Sequence, residues 1–74
     1  MSISNIQELA EKYGRSIYNY SDGSAKFIVG GYQVMVEQYG NHYMVFHYTK
    51  GIDNRYFETI KEVEDYLKRL EKGL

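Results

Sequence analysis

Three glycine-containing turn signals divide the middle of this chain into short segments. They are Asp22-Gly23, Gly30-Gly31 and Gly40-Asn41, and such dipeptides tolerate the positive φ angles of tight hairpin turns. The segments between them are rich in Val, Ile, Phe and Tyr, which favour strands. Because strands joined by tight turns run antiparallel, the pattern predicts an antiparallel sheet built from hairpins.

Four strands are expected, with a fifth segment left open. Gly30-Gly31 is either a turn or a bulge in one long strand, and we favour the turn because Tyr32 to Gln38 is already a full strand. Lys50 to Asn54 is a polar loop, after which Arg55-Tyr56-Phe57 either adds an edge strand or leads into a helix. The expected strands are Arg15 to Tyr20, Ala25 to Val29, Tyr32 to Gln38 and His42 to Thr49.

An amphipathic helix is predicted near the N-terminus, from Ile3 to Tyr13. Ser4 and Gln7 have the spacing of a capping box. Gly14 suits the left-handed position that ends many helices. The residues that recur on its apolar face are Ile3, Ile6, Leu9, Ala10 and Tyr13.

A second amphipathic helix is predicted at the C-terminus. Thr59 and Glu62 form a capping box, and Gly73 marks the end. Glu64 and Lys68 have the spacing of a favourable ion pair. The apolar stripe consists of Ile60, Val63, Leu67 and Leu70, with Tyr66 at its margin.

The predicted fold is therefore α+β, an antiparallel 3–4-stranded sheet flanked by N- and C-terminal helices in the order α-β-β-β-β-α. With 74 residues, we expect residues 1–74 to form a single compact domain. The chain has no cysteine, which excludes disulfides and cysteine zinc sites. It has no signal-peptide pattern and no apolar run long enough to span a membrane, so we expect a cytoplasmic protein with no membrane contact.

The turn between the two central strands allows two pairings. A two-residue Gly40-Asn41 loop fits a type II′ turn, which requires glycine first, and pairs Val36 with Val45. A three-residue loop that includes Tyr39 shifts the pairing by one residue and moves one strand's side chains to the opposite face. We favour the three-residue loop because it makes one face more apolar, by joining Val34 and Val36 with Met44, Phe46 and Tyr48.

In either pairing, both sheet faces carry apolar or aromatic groups. Two helices of so short a chain cannot easily cover both faces, so we favour both helices on one face and an exposed interaction site on the other. The alternative is that the helices lie on opposite faces and hide both. With the favoured pairing, the predicted binding residues are Gln33, Met35, Glu37, Tyr43, Val45 and His47.

The nucleophilic and ionisable residues form no recognisable catalytic or metal-binding motif. His42 and His47 are five residues apart on one strand and therefore point to opposite faces. Glu37 is interpreted as a partner of His47 or a solvent-facing residue rather than as a general base. The serines lie at caps, strand starts and turns. We predict a protein that is not an enzyme and that has no metal site and no cofactor.

Two nucleic-acid-binding families share part of the pattern. The order of helices and strands resembles the double-stranded-RNA-binding domain, but that family's last helix opens with a lysine-rich motif, whereas Glu58 to Glu64 is acidic. Gly51, Phe57-Glu58-Thr59 and Glu62 loosely resemble the integrase-type three-stranded DNA-binding domains, whose basic strands are missing here. The chain is assigned to neither family.

Nine tyrosines and a net charge of −1 favour a protein partner. We predict a small protein-binding module, with itself as a homodimer partner among the possibilities. Its size suggests an adaptor or an inhibitor, for example a phage or mobile-element antagonist of a host protein of the anti-CRISPR type. The alternative is a nucleic-acid-binding domain that stacks bases on a tyrosine-rich face, with phosphate contacts from Lys26, Lys50, Arg15 and Arg55.

Overall fold

The computed structural model describes residues 5–21, 23–48 and 53–73. The expected helix start at Ile3 with its cap at Ser4, the turn residue Asp22, the strand end at Thr49 and the loop residues Lys50 and Gly51 lie outside them. The elements are α1 (Asn5–Tyr13), β1 (Arg15–Ser21), β2 (Ser24–Val29), β3 (Tyr32–Tyr39), β4 (His42–His47), β5 (Arg55–Phe57) and α2 (Ile60–Lys72).

The strands form a five-stranded antiparallel sheet in which sequence neighbours are spatial neighbours, β1-β2-β3-β4-β5. The α+β class and the flanking helices are confirmed. Arg55–Phe57 forms the fifth strand at the edge, where Phe57 pairs with Tyr43 and Arg55 pairs with Val45. The sequence pattern alone does not distinguish an edge strand at this segment from a lead into α2.

The predicted turn at Gly30-Gly31 is confirmed. It joins β2 to β3 and pairs Val29 with Tyr32. Gly30 and Gly31 have φ angles of 57° and 86°, and two successive positive φ values are characteristic of a type I′ hairpin turn. This turn aligns Phe27 with Val34 on the same face of the sheet.

The three-residue loop favoured for the central hairpin is wrong. Tyr39 pairs with His42 and Val36 pairs with Val45, so the loop is the two-residue Gly40-Asn41 turn. Gly40 has a φ of 59°, as the first central position of a type II′ turn requires. Turn geometry therefore determined the register, although the other pairing would have put more apolar residues on one face.

Both helices pack on one face of the sheet. Along β2, β3 and β4 buried residues alternate with partly exposed ones, and the buried set joins the apolar stripes of α1 and α2 in one core. This core contains Ile6, Leu9, Ala10, Ala25, Phe27, Val29, Val34, Val36, Tyr43, Val45, Val63, Tyr66, Leu67 and Leu70.

Gly14 ends α1 for a different reason from the one expected. It does not have a left-handed conformation, although its N–H donates to the Ala10 carbonyl at 2.8 Å. A Cβ at this position would collide with the Phe27 ring. Glycine is therefore required because α1 passes directly over the Phe27 side chain.

Helix α2 has the predicted caps. Thr59 and Glu62 form a reciprocal capping box, and Gly73 ends the helix with a φ of 92°. Tyr66, expected at the margin of the apolar stripe, is buried. Glu64, expected to pair with Lys68, instead accepts hydrogen bonds from Tyr13 at 2.8 Å and Lys12 at 3.1 Å, which connects α2 to α1.

The adjacent turn glycines provide a test of how α2 meets the sheet. A Cβ at Gly30 would collide with the Leu70 backbone, whereas one at Gly31 meets no atom within 4 Å. Both substitutions to Ala place a side chain at positive φ, which costs about 1 kcal/mol. We expect Gly30→Ala to lower the free energy of unfolding by about 3 kcal/mol and Gly31→Ala by about 1 kcal/mol, measured by urea denaturation. Equal losses would contradict this packing.

The register of the central hairpin can be tested with neighbouring residues of β4. Val45 is fully buried, whereas Met44 is partly exposed on the other face. Val45→Ala should lower the free energy of unfolding by about 2 kcal/mol, and Met44→Ala by less than about 1 kcal/mol. A larger loss for Met44→Ala would indicate the alternative pairing.

Candidate functional site

The sheet face opposite the helices is covered by no other element of the described residues. We call it the open face. All five strands contribute to it, because residues that alternate with the core positions point away from the helices. Its residues are Tyr18, Tyr20, Lys26, Ile28, Gln33, Met35, Glu37, Tyr39, His42, Met44, Phe46, Tyr48 and Tyr56.

Aromatic and apolar side chains, together with Lys26 and Glu37, form rows across the open face. One row follows the backbone pairs from Tyr18 to Lys26, then to Met35, and then to Phe46. A second row runs from Glu37 to Met44 and on to Tyr56. Since directly paired residues have side chains in contact range, the rows form a continuous surface rather than scattered exposed groups.

Contacts within the face hold several of these side chains in place. The Lys26 Nζ lies 4.6 Å from the centroid of the Tyr48 ring, a cation–π arrangement. The Tyr48 hydroxyl lies 3.8 Å from the Met35 Sδ. The Tyr18 and Tyr20 rings have centroids 4.6 Å apart. Pre-ordered aromatic groups lose little conformational entropy when a partner binds.

A shallow concavity of about 230 Å³ lies at the β1 side of the open face. Its walls include Tyr18, Tyr20, Lys26 and Ile28. Pockets for small molecules usually measure about 300–1,000 Å³, so this concavity is of a size to receive one side chain of a larger partner.

The two edges of the sheet are poorly suited to pairing with another strand. β1 is exposed along its whole length, but its pairing with β2 has two irregularities, and Ser16 has a φ of 54°. β5 has only three residues. Bulges and short edge strands hinder edge-to-edge association, so the open face is the better-formed interaction surface.

The structure divides the predicted binding residues between two environments. Gln33, Met35 and Glu37 lie on the open face. Tyr43 and Val45 do not, because the two-residue turn places them in the core, where 9% and 0% of their surface is exposed. His47 also lies on the helix side, beside Tyr66. The prediction that Tyr43, Val45 and His47 point away from the core is therefore wrong.

Sequence reasoning missed most of the aromatic part of the open face. The three-residue loop predicts Met44, Phe46 and Tyr48 in the core, and they lie on the open face instead. No pattern in the sequence indicates a role for Tyr18 or Tyr56. The glycine at the first position of the Gly40-Asn41 turn was the signal that could have identified the correct face.

The His47 ring lies in a partly buried position between the sheet and α2. Its Nε2 is 2.7 Å from the Tyr66 hydroxyl, and its Nδ1 is buried without a hydrogen-bond partner among the described residues. Burial, together with the nearby positive charge of Arg55, holds the pKa of His47 below its ordinary value, and a backbone group of Asp53 opposes this effect. The neutral ring is therefore the form that the fold favours.

In the described parts of the chain, no group of three or more His, Cys, Asp or Glu side chains is placed to hold a metal ion. No helix in these parts is long and apolar enough to span a membrane.

The lowered pKa of His47 predicts a specific dependence of stability on pH. The free energy of unfolding should be unaffected by this residue above the ordinary histidine pKa of about 6.5. It should decrease below that value, because the unfolded chain takes up the proton first. Thermal unfolding of the wild type and His47→Gln from pH 8 to pH 5 would measure it, with the exposed His42 changed to Gln as control. A decrease of the same size in His47→Gln as in the wild type would contradict this assignment.

Comparisons with protein-family models, with curated proteins and with solved structures found no match to this chain.

Proposed function

We propose that this protein is a non-enzymatic module that binds another protein through the open face of its sheet. The observation that supports this most directly is the continuous surface of Tyr, Met and Phe side chains on a face that neither helix covers. A contiguous exposed apolar surface on a soluble domain is typical of an interaction site.

The residue types of the open face suit a protein partner. Tyrosine combines a large rigid contact area with a hydroxyl that remains compatible with water before binding. Tyr18, Tyr48 and Tyr56 are each more than half exposed, at 61%, 51% and 53%. Met35 and Met44 add flexible side chains that can adapt to the shape of a partner. Aromatic residues and methionine are enriched in protein interfaces.

The distribution of charge makes a nucleic acid the less favoured partner. Of the four cations expected to contact phosphate, Lys26 lies on the open face, and Arg15 pairs with the open-face residue Ile28 at the edge of the sheet. Arg55 lies on the helix side, 5.7 Å from the Tyr66 ring centroid, and Lys50 lies outside the described residues. Glu37 adds a negative charge to the same surface. Since neutralisation of phosphates contributes much of nucleic-acid affinity, stacking on tyrosines alone would give weak binding.

A module with a single binding face can serve as an adaptor or as an inhibitor that occupies a partner's surface. Antagonism of a host protein by a phage or mobile-element protein is one role that fits this form. The chain has no cysteine, which is compatible with action in the reducing cytoplasm.

The proposal is tested by removing apolar surface from the open face while preserving strand preference. The double variant Met35→Thr with Phe46→Thr does this, because threonine is a good strand former. Lys68→Gln with Arg69→Gln, on the exposed side of α2, is the matched control. In affinity capture from a cell lysate, we expect a protein that the wild type and the control retain and that the open-face variant loses by at least about tenfold.

Circular dichroism of both variants shows whether the fold is intact. Capture of the same proteins by all three forms would reject the open face as the binding site. Titration with single-stranded and double-stranded oligonucleotides at low and high salt tests the alternative. Tight binding that weakens steeply with salt would favour nucleic acid over protein.

A further inference from the structure

We propose that a second copy of this chain binds the open face, forming a two-fold symmetric dimer in which Lys26 of each copy lies opposite Glu37 of the other. This inference rests on the proposed function and names the partner of that surface. It depends on the placement of two opposite charges within a face that is otherwise mainly aromatic and apolar.

Lys26 and Glu37 are diagonal neighbours on adjacent strands. Lys26 pairs with Met35, and Glu37 is the next residue of β3 on the same face, which places the two residues about 7–8 Å apart, with their Cβ atoms somewhat closer. Within one copy, no ion pair joins them among the described residues. The Lys26 Nζ lies over the Tyr48 ring, and the Glu37 carboxylate accepts a hydrogen bond from Tyr39, which raises the pKa of that tyrosine.

A two-fold axis in the plane of the interface, perpendicular to the line from Lys26 to Glu37 and passing through its midpoint, exchanges the two positions. Each lysine then faces the partner's glutamate, and the contact occurs twice. An isologous interface requires a surface that is complementary to itself, and one positive and one negative charge at exchangeable positions meet this requirement. A strongly acidic partner would place a like charge opposite Glu37, and a strongly basic partner would do so opposite Lys26.

The rest of the open face is compatible with the same arrangement. Its remaining surface is mainly aromatic and apolar, and the net charge of −1 gives little repulsion between copies. Both edges of the sheet are irregular or short, which disfavours the competing edge-to-edge dimer. Face-to-face packing of sheets is a common way to bury such surfaces.

The size of the face predicts a weak dimer. Five strands about 4.8 Å apart and about six residues long span roughly 24 by 20 Å, so two facing sheets bury on the order of 1,000 Å² in total. This lies at the lower limit for specific interfaces. We therefore expect dissociation in the micromolar range and an equilibrium that dilution can resolve.

The test uses sedimentation velocity from about 1 µM to about 1 mM on the wild type and on Lys26→Glu and Glu37→Lys. Each single variant places like charges opposite each other twice, and we expect the dissociation constant to rise by at least about tenfold. An equimolar mixture of the two variants restores both contacts between unlike copies, so it should form a heterodimer of near wild-type affinity. The doubly exchanged variant should likewise regain dimerisation.

Recovery in the mixture is decisive, because an effect within one copy or a loss of fold cannot be repaired by adding the other variant. Melting curves of each variant alone confirm that it folds. A wild type that stays monomeric up to the highest concentration would overturn the inference, as would single variants that dimerise normally or a mixture that stays monomeric. A monomeric wild type whose captured protein is still lost by the open-face variant would leave the proposed function standing.

Discussion

The pairing of Tyr39 with His42 across the Gly40-Asn41 turn determines which side chains of the central hairpin are buried. Because side chains alternate along a strand, this one pairing assigns every residue of β4 to a face. It places Tyr43 and Val45 beneath the helices, fully inside the core or nearly so. It also places Met44 and Phe46 on the open face, and the candidate binding surface follows from that assignment.

A second constraint is the size of the chain. Helices of nine and thirteen residues can cover one face of a five-stranded sheet but not two. The helices contact each other through Lys12, Tyr13 and Glu64 and share one core with the sheet. Among the described residues neither helix covers the other face, and its tyrosines, with hydroxyls on large apolar rings, tolerate both water and a partner.

Much of the fold could be predicted because its signals are local. The hairpin turns at Gly30-Gly31 and Gly40-Asn41 require positive φ angles, and the capping box at Thr59 needs only residues within one helical turn. Half of the predicted binding residues, such as Met35, lie on the open face. The other half, such as Val45, lie on the helix side of the sheet. The number of apolar residues on one face favoured burial of Met44 and Phe46. The Gly40-Asn41 turn favoured the other register, and the sheet has that register.

By itself, the sequence determined the order of elements, the hairpin topology, the ends of α2 and the absence of any disulfide. Each of these depends on residues that are adjacent in the chain or within one turn of each other. Only the tertiary structure decided that both helices share a face, that Gly14 is required by the Phe27 ring, and that Arg55 lies beside Tyr66. These are contacts between distant segments, and they depend on the packing of whole side chains, which the pattern of polar and apolar residues does not specify.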